Sequence, residues 1–193
     1  MDTDNFKKAK MFNKKASRKK SKSDHIINTL RIKKGDKIAD IGSGGGYFTI
    51  IFAKLVENKG HIYAIDTNKE FLKYIELQAE KNNLKNITTI HTKSNIPIIP
   101  NEKLDYFFLR NVYHHIPTRI KYLQKLGNGL EKNGKIIIIE HNGKGFFNFN
   151  KIFGHYIKPE IIRNEMKKAG YEIDKEYDLI NQQSFTIFTK TTK

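Results

Sequence analysis

The sequence contains no cysteine and no tryptophan, and only four of its 193 residues are proline. Without cysteine there is no disulfide framework, no thiolate metal site and no cysteine nucleophile. Acidic residues are also scarce: 20 Asp and Glu stand against 36 Lys and Arg, a formal net charge of +16. No apolar run approaches the roughly 18 residues of a membrane span. The basic N-terminal stretch has no apolar segment behind it, so neither a span nor a secretory signal is expected. Hydrophobic residues make up 38% and aromatics 11% of the chain, enough to build a core. At this length a cytoplasmic protein with one folded domain is the expectation.

The positive charge is unevenly placed. Nine basic residues lie between Lys7 and Lys22, with only Asp2, Asp4 and Asp24 to offset them in the first 24 positions. Low hydrophobicity and blocky charge predict a flexible arm or frayed helix over residues 1–22, ahead of a domain over 23–193. Such an arm could track a nucleic-acid backbone or an anionic surface. A bias toward Lys, Ile and Asn along the whole chain is the plainer origin of the charge.

Past the arm, apolar periodicity alternates between strand and helix. A short amphipathic helix is expected at 24–32, with Asp24 as its N-cap and Ile26, Ile27 and Leu30 inward. Strands are expected at 37–41, 61–66, 87–92, 104–109 and 135–140. Between them, Phe48, Ile51, Phe52 and Leu55 have helical spacing, as do Phe71, Leu72, Ile75 and Ala79. A further helix should carry Ile120, Leu123 and Leu130. The run Ile136 to Ile139 is apolar on both faces, as a central parallel strand requires. A loop rich in glycine and aromatics follows at 143–156, and then Pro159 suits the first turn of another helix. Two closing runs, 171–178 and 184–190, lie too close for a crossover helix and should pair antiparallel. The pattern is that of an α/β protein with a doubly wound open sheet.

The segment Asp40-Ile-Gly-Ser-Gly-Gly-Gly46 falls between a strand and a helix. Glycines there let backbone approach a ligand, and the helix start offers unpaired N–H donors. A nicotinamide-type fingerprint needs a third glycine where Tyr47 stands, too large for the close packing at that position. The spacing is instead glycine at 42, 44 and 46, with an acid two residues before. That acid suits a ligand bearing positive charge, such as an ammonium near a sulfonium. Asp66 lies 20 residues after Gly46 at the end of the next strand, where a carboxylate can accept hydrogen bonds from a ribose diol.

On these residues the sequence resembles the class I S-adenosylmethionine-dependent methyltransferases, nearest the small-molecule branch of ubiquinone and menaquinone biosynthesis. The likeness runs over about residues 24–190 and is carried by residues 38–46, 62–66, 105–116, 129–136 and 158–171. It implies a Rossmann-like, seven-stranded sheet, mostly parallel with an antiparallel last strand. It further implies S-adenosylmethionine as cofactor, with Asp40, Gly42, Gly44 and Gly46 around its methionine part and Asp66 on its ribose. The family usually has an Asp after the third strand, against the adenine amine. This sequence departs from that with Thr92-Lys-Ser-Asn95, where Ser94 or Asn95 could supply an acceptor.

The resemblance also places Arg110, Asn111, His114 and His115 at the end of the fourth strand, beside the methyl group. His115 is the preferred base candidate because an imidazole titrates near neutral pH; it could equally pack against the turn at Ile116 and Pro117. His141, at the end of the fifth strand, is the second candidate. No metal ligand set is assigned, since methyl transfer from a sulfonium needs mainly collinear positioning. Absence of cysteine excludes cytosine-carbon and arsenic methylation. Leu109-Arg-Asn-Val112 stands in place of the tetrad used for exocyclic amines. The aromatic loop at 146–156 suits an apolar or aromatic small-molecule acceptor. An RNA-associated methyltransferase or binding module using the basic arm is the alternative, and a donor-binding fold without catalysis is a third.

Overall fold

A computed structural model describes residues 3–93, 96–143 and 155–191. Backbone contacts divide the chain into two units, residues 1–93 and 94–193.

The first unit holds helix α1 (Thr3–Ala16), α2 (Ser23–Leu30), strand β1 (Lys37–Ile41), α3 (Tyr47–Val56), β2 (His61–Asp66), α4 (Lys69–Lys81) and β3 (Ile87–His91). β2 pairs in parallel with β1 on one side and β3 on the other, with Asp40 opposite Ala64 and Asp66 opposite His91. The helices bury one stripe each, as their spacing requires. α3 turns Phe48, Phe52 and Val56 inward, and α4 turns Leu72, Ile75 and Ala79 inward. Leu72 and Ile75 meet Ala64 of β2, with Ile87 of β3 against the same cluster. Asn68 starts α4 by accepting hydrogen bonds from the amides of Glu70 (2.9 Å) and Phe71 (3.3 Å), a cap worth about 1 kcal/mol.

The basic segment is not the flexible arm expected of its charge. Residues 3–16 form α1, which docks along a stripe of Asn5, Phe6, Ala9, Asn13 and Ala16. Phe6 packs edge-on against Tyr74 and Phe12 against Phe71, at centroid distances of 5.4 and 5.5 Å. Asn68 Nδ2 donates to Asn5 Oδ1 at 3.2 Å. The lysines occupy the remaining faces, so a narrow apolar stripe suffices to hold a helix whose average composition is polar. Nor is Asp24 the cap of α2. That helix begins at Ser23 after Lys22 in a left-handed conformation, and no side chain caps it. The Ser23 hydroxyl donates back to the carbonyl of Ala16 at 2.7 Å, tying the two helices together.

The second unit holds β4 (Leu104–Arg110), a single 3₁₀ turn (Tyr113–His115), α5 (Arg119–Gly127), β5 (Leu130–His141), α6 (Pro159–Lys168), β6 (Tyr171–Tyr177) and β7 (Gln183–Lys190). β4 and β5 are parallel, and their register jumps from Leu104–Leu130 to Tyr106–Lys135. Leu130, expected on a helix, therefore opens a strand. Ile136 to Ile139 are buried on both faces. β7 lies between β5 and β6 and runs antiparallel to each. Pro159 occupies the first turn of α6. That helix is clamped to α5 by Arg119, whose Nε and Nη2 each donate to Glu165 at 2.8 Å, while the buried Tyr113 hydroxyl donates to the same carboxylate at 2.8 Å.

The seven strands run in the order 3-2-1-4-5-7-6, the doubly wound α/β sheet expected. Among the described residues, no helix is long and apolar enough to cross a membrane.

Candidate active site

In the first unit, β1 and β2 end side by side and present Asp40 and Asp66, both buried. Asp40 Oδ2 accepts a 2.6 Å hydrogen bond from the Thr49 hydroxyl on α3, which fixes the carboxylate's rotamer. The glycine loop folds back over the end of β2: the amides of Gly42 and Ser43 both donate to the carbonyl of Ile65, at 2.8 and 3.2 Å. Gly42, Gly44 and Gly46 all have positive φ, the conformation for which glycine is the natural residue. At Gly44, that backbone turns its amide onto Asp66 Oδ2 at 2.8 Å. The other oxygen, Oδ1, accepts the Asn68 amide at 2.9 Å. Asp66 is thus held by backbone donors on both of its oxygens. Its burial nevertheless pushes the carboxyl above the ordinary carboxylate range, against those amides and the nearby His91, which act in the opposite direction.

Gly46 starts α3, and its α-carbon faces Ile75 so closely that a β-carbon would sit 2.5 Å from Ile75 Cγ1. Gly45 plays a part that spacing did not suggest. It is the point where α1 crosses the loop, and a β-carbon there would lie 2.3 Å from both the Ala9 carbonyl oxygen and Asn13 Oδ1. Asn13 Oδ1 and Ser43 Oγ are buried without a hydrogen-bond partner among the described residues. A donor with amine, carboxylate and ribose groups would find polar partners at the loop, so the residues present fit S-adenosylmethionine. Sequence reasoning missed Asn13 and Asn68; the signal was there in the helical stripe of residues 5, 6, 9, 13 and 16.

The second unit gathers Arg110, Asn111, His114, His115 and His141 near the ends of β4 and β5. Their organiser is Glu140, a fully buried carboxylate that sequence reasoning passed over. Its Oε2 meets His114 Nδ1 at 2.9 Å and the His114 amide at 3.3 Å, and its Oε1 accepts the His141 amide at 2.9 Å. Asn111 adopts a left-handed conformation and accepts a short hydrogen bond from Gln183 on β7. Burial lowers the pKa of both His115 and His141, and for His115 the neighbouring His114 and His155 lower it further. Burial thus favours the neutral, proton-accepting form of both rings. Ser94, Asn95 and most of the aromatic loop lie outside the described residues. Tyr156 is described, packed against Gly143.

Residues 32–184 match the family model for a methyltransferase domain. A demethylmenaquinone methyltransferase from Geobacillus is 25% identical over 136 residues, 70% of this chain and 58% of that protein. One from Staphylococcus epidermidis is 24% identical over 170 residues, 87% of this chain and 68% of its own length. A probable cobalt-precorrin-6B C(15)-methyltransferase from Saccharolobus solfataricus is 37% identical, over 58% of this chain and 56% of its own. This chain thus spans little more than half to two thirds of the curated relatives it matches. Among solved structures, a SAM-dependent methyltransferase from Aquifex aeolicus superposes with a TM-score of 0.78 at 19% identity, covering 92% of this chain and 96% of that one. An O-methyltransferase of neocarzinostatin biosynthesis, bound to S-adenosyl-L-homocysteine and 1,4-dihydroxy-2-naphthoic acid, superposes with a TM-score of 0.66 at 11% identity over 81% of this chain and 50% of that one. With the family model spanning most of its length and the fold shared throughout, the chain belongs to the S-adenosylmethionine-dependent methyltransferase family.

Proposed function

We propose that the protein transfers a methyl group from S-adenosylmethionine to a small aromatic acceptor of the quinol or hydroxynaphthalene kind. The observation that carries the donor half is the bond from the Gly44 amide to Asp66 Oδ2, which pins a buried acid against the glycine loop. Asp66 would take the ribose hydroxyls on its remaining lone pairs. Asp40, Gly42, Gly44, Gly46, Ser43 and Asn13 would receive the methionine end. Ser94, Asn95 and Arg110 remain the candidates for the rest of the donor. The bound donor supplies an electrophilic methyl on a sulfonium. What the protein adds is placement, which can account for much of the barrier in a reaction of this type.

The acceptor class rests on the relatives named demethylmenaquinone methyltransferase and on the naphthoic acid in a structural neighbour. A phenolic or enolic acceptor has a proton to lose, and His115 and His141, whose burial favours the neutral ring, are the bases on hand. The RNA alternative draws no support from α1. Of its two aromatics, Phe6 is half-buried edge-on against Tyr74, and the exposed Phe12 rests edge-on against Phe71, which leaves little for a run of stacked bases.

Calorimetry with S-adenosylhomocysteine and with NAD tests the donor; preferential binding of the dinucleotide refutes the reading. Release of S-adenosylhomocysteine in the presence of a demethylmenaquinol or 1,4-dihydroxy-2-naphthoic acid tests the acceptor. No turnover above the acceptor-free rate with either refutes that half.

A further inference from the structure

Three imidazoles from distant points of the second unit converge at the end of β4. His114 and His115 lie on the 3₁₀ turn, and His155 arrives from the segment before α6. One nitrogen of each lies within 4.8 Å of the others. His155 Nδ1 is 3.3 Å from His114 Nε2. Two nitrogens held 2.0–2.1 Å from a tetrahedral zinc ion are separated by roughly 3.3–3.4 Å. The two rings share a hydrogen bond across that gap, and an ion that displaces its proton would find the pair at the spacing of two ligands. His115 is exposed and can close the remaining gap by rotating its side chain.

The orientation of one ring is set as well. His114 Nδ1 faces the fully buried Glu140 Oε2 at 2.9 Å, and a carboxylate can only accept there. With Nδ1 engaged by that carboxyl, Nε2 is the ring nitrogen turned to the cluster. A carboxylate behind a ligating histidine is the arrangement that fixes ring orientation and raises ligand basicity at metal centres. Three imidazole nitrogens without thiolate or clustered carboxylate suit a first-row transition ion, not calcium or magnesium.

We propose that His114, His115 and His155 form a site for a divalent transition metal, zinc being the natural occupant, with Glu140 as the positioning residue. Three protein ligands leave a fourth position for water or for an oxygen of a bound small molecule. The site does not depend on the methyl-transfer reading. It does bear on the choice of base: with the His115 lone pair engaged, His141 is the imidazole left to take a proton.

The test uses the untagged full chain, stripped with a chelator and titrated with zinc chloride by calorimetry, and with cobalt chloride by visible spectroscopy. The expected result is one zinc per chain and the intense visible bands of tetrahedral cobalt. His155→Ala and His115→Ala should each weaken zinc at least tenfold, and both side chains are exposed, so the fold should survive. Thermal melting checks that it does. Glu140→Gln should weaken zinc by about 10- to 100-fold and shift the cobalt bands, which a purely structural role would leave in place. Absence of saturable binding overturns the site, as does wild-type affinity in the folded His115→Ala/His155→Ala double variant.

Discussion

The α-carbon of Gly45 lies directly beneath the carbonyl oxygen of Ala9, leaving 2.3 Å where a β-carbon would have to fit. The contact is between a loop and the backbone of a helix, so neither partner can yield by a rotamer change. Gly45→Ala should lift α1 from the loop, at a cost of about 1–3 kcal/mol if the strain is that of ordinary overpacking. The expected readouts are a lower thermal midpoint and faster trypsin cleavage among Lys7, Lys8, Lys10, Lys14 and Lys15. Deleting residues 1–22 should lower the midpoint too, because Tyr74 and Phe71 lose aromatic partners worth about 0.5–1.5 kcal/mol each. An unchanged midpoint in both would mean that α1 is not docked.

Asp66 should matter to the donor more than to the fold. Asp66→Ala is expected to weaken S-adenosylhomocysteine binding at least tenfold by calorimetry, since hydrogen bonds to a charged group contribute about 1.5–3 kcal/mol each. Its pH dependence has two opposed parts. Burial raises the folded carboxyl above its ordinary value of 3.8. The stability it contributes is therefore fully present below the unfolded value and is lost as pH rises through the folded one. Acidifying from neutral toward pH 4 should thus stabilise the wild type relative to Asp66→Asn, while donor affinity of the wild type falls as the acceptor oxygen is protonated. Denaturant melts and calorimetry at both ends of that range check the two signs.

Glu165 holds Tyr113 and Arg119 at once. Glu165→Ala leaves the fully buried phenol without its acceptor, an orphan worth about 1–3 kcal/mol. Urea denaturation should show a loss of that size. Glu165→Gln, which keeps an acceptor oxygen, should recover part of it.

The charge on α1 makes a prediction about RNA. If its lysines track a single-stranded backbone, log affinity falls with log salt at about −0.7 per phosphate contact. With both phenylalanines of α1 engaged in packing, RNA binding is expected to be weak at physiological salt. A filter-binding or anisotropy series across salt decides it; tight binding at physiological salt would restore the RNA reading.

Much of this was legible in the chain, because local patterns report local structure. Strand and helix periods located nearly every element, and the glycine spacing marked the turn between β1 and α3 that packs on Asp66. What stayed hidden was long-range. α1 docks through a stripe whose average is drowned by lysine, so a composition measure reads it as solvated. Glu140 ends a strand of isoleucines and looks like a solvent-facing acid until the fold buries it. His155 is 40 residues from His115, and only the path of the chain after β5 brings them together. Leu130 was misassigned because the register jump between β4 and β5 lets four residues drop out of pairing before the strand resumes.

The placement of β7 between β5 and β6 sets the order in which the sheet can be completed during synthesis. As the chain leaves the ribosome, β5 appears some fifty residues before β7. Through that interval its Ile136–Ile139 run has a bare edge on the side that β7 will later fill. β6 emerges first but cannot take that place, since its only partner in the finished sheet is β7. That run of isoleucines therefore waits, unpaired on one side, until β7 has been translated. An unpaired apolar edge is the template on which chains aggregate, so a chain interrupted before β7 would be left with its stickiest surface open.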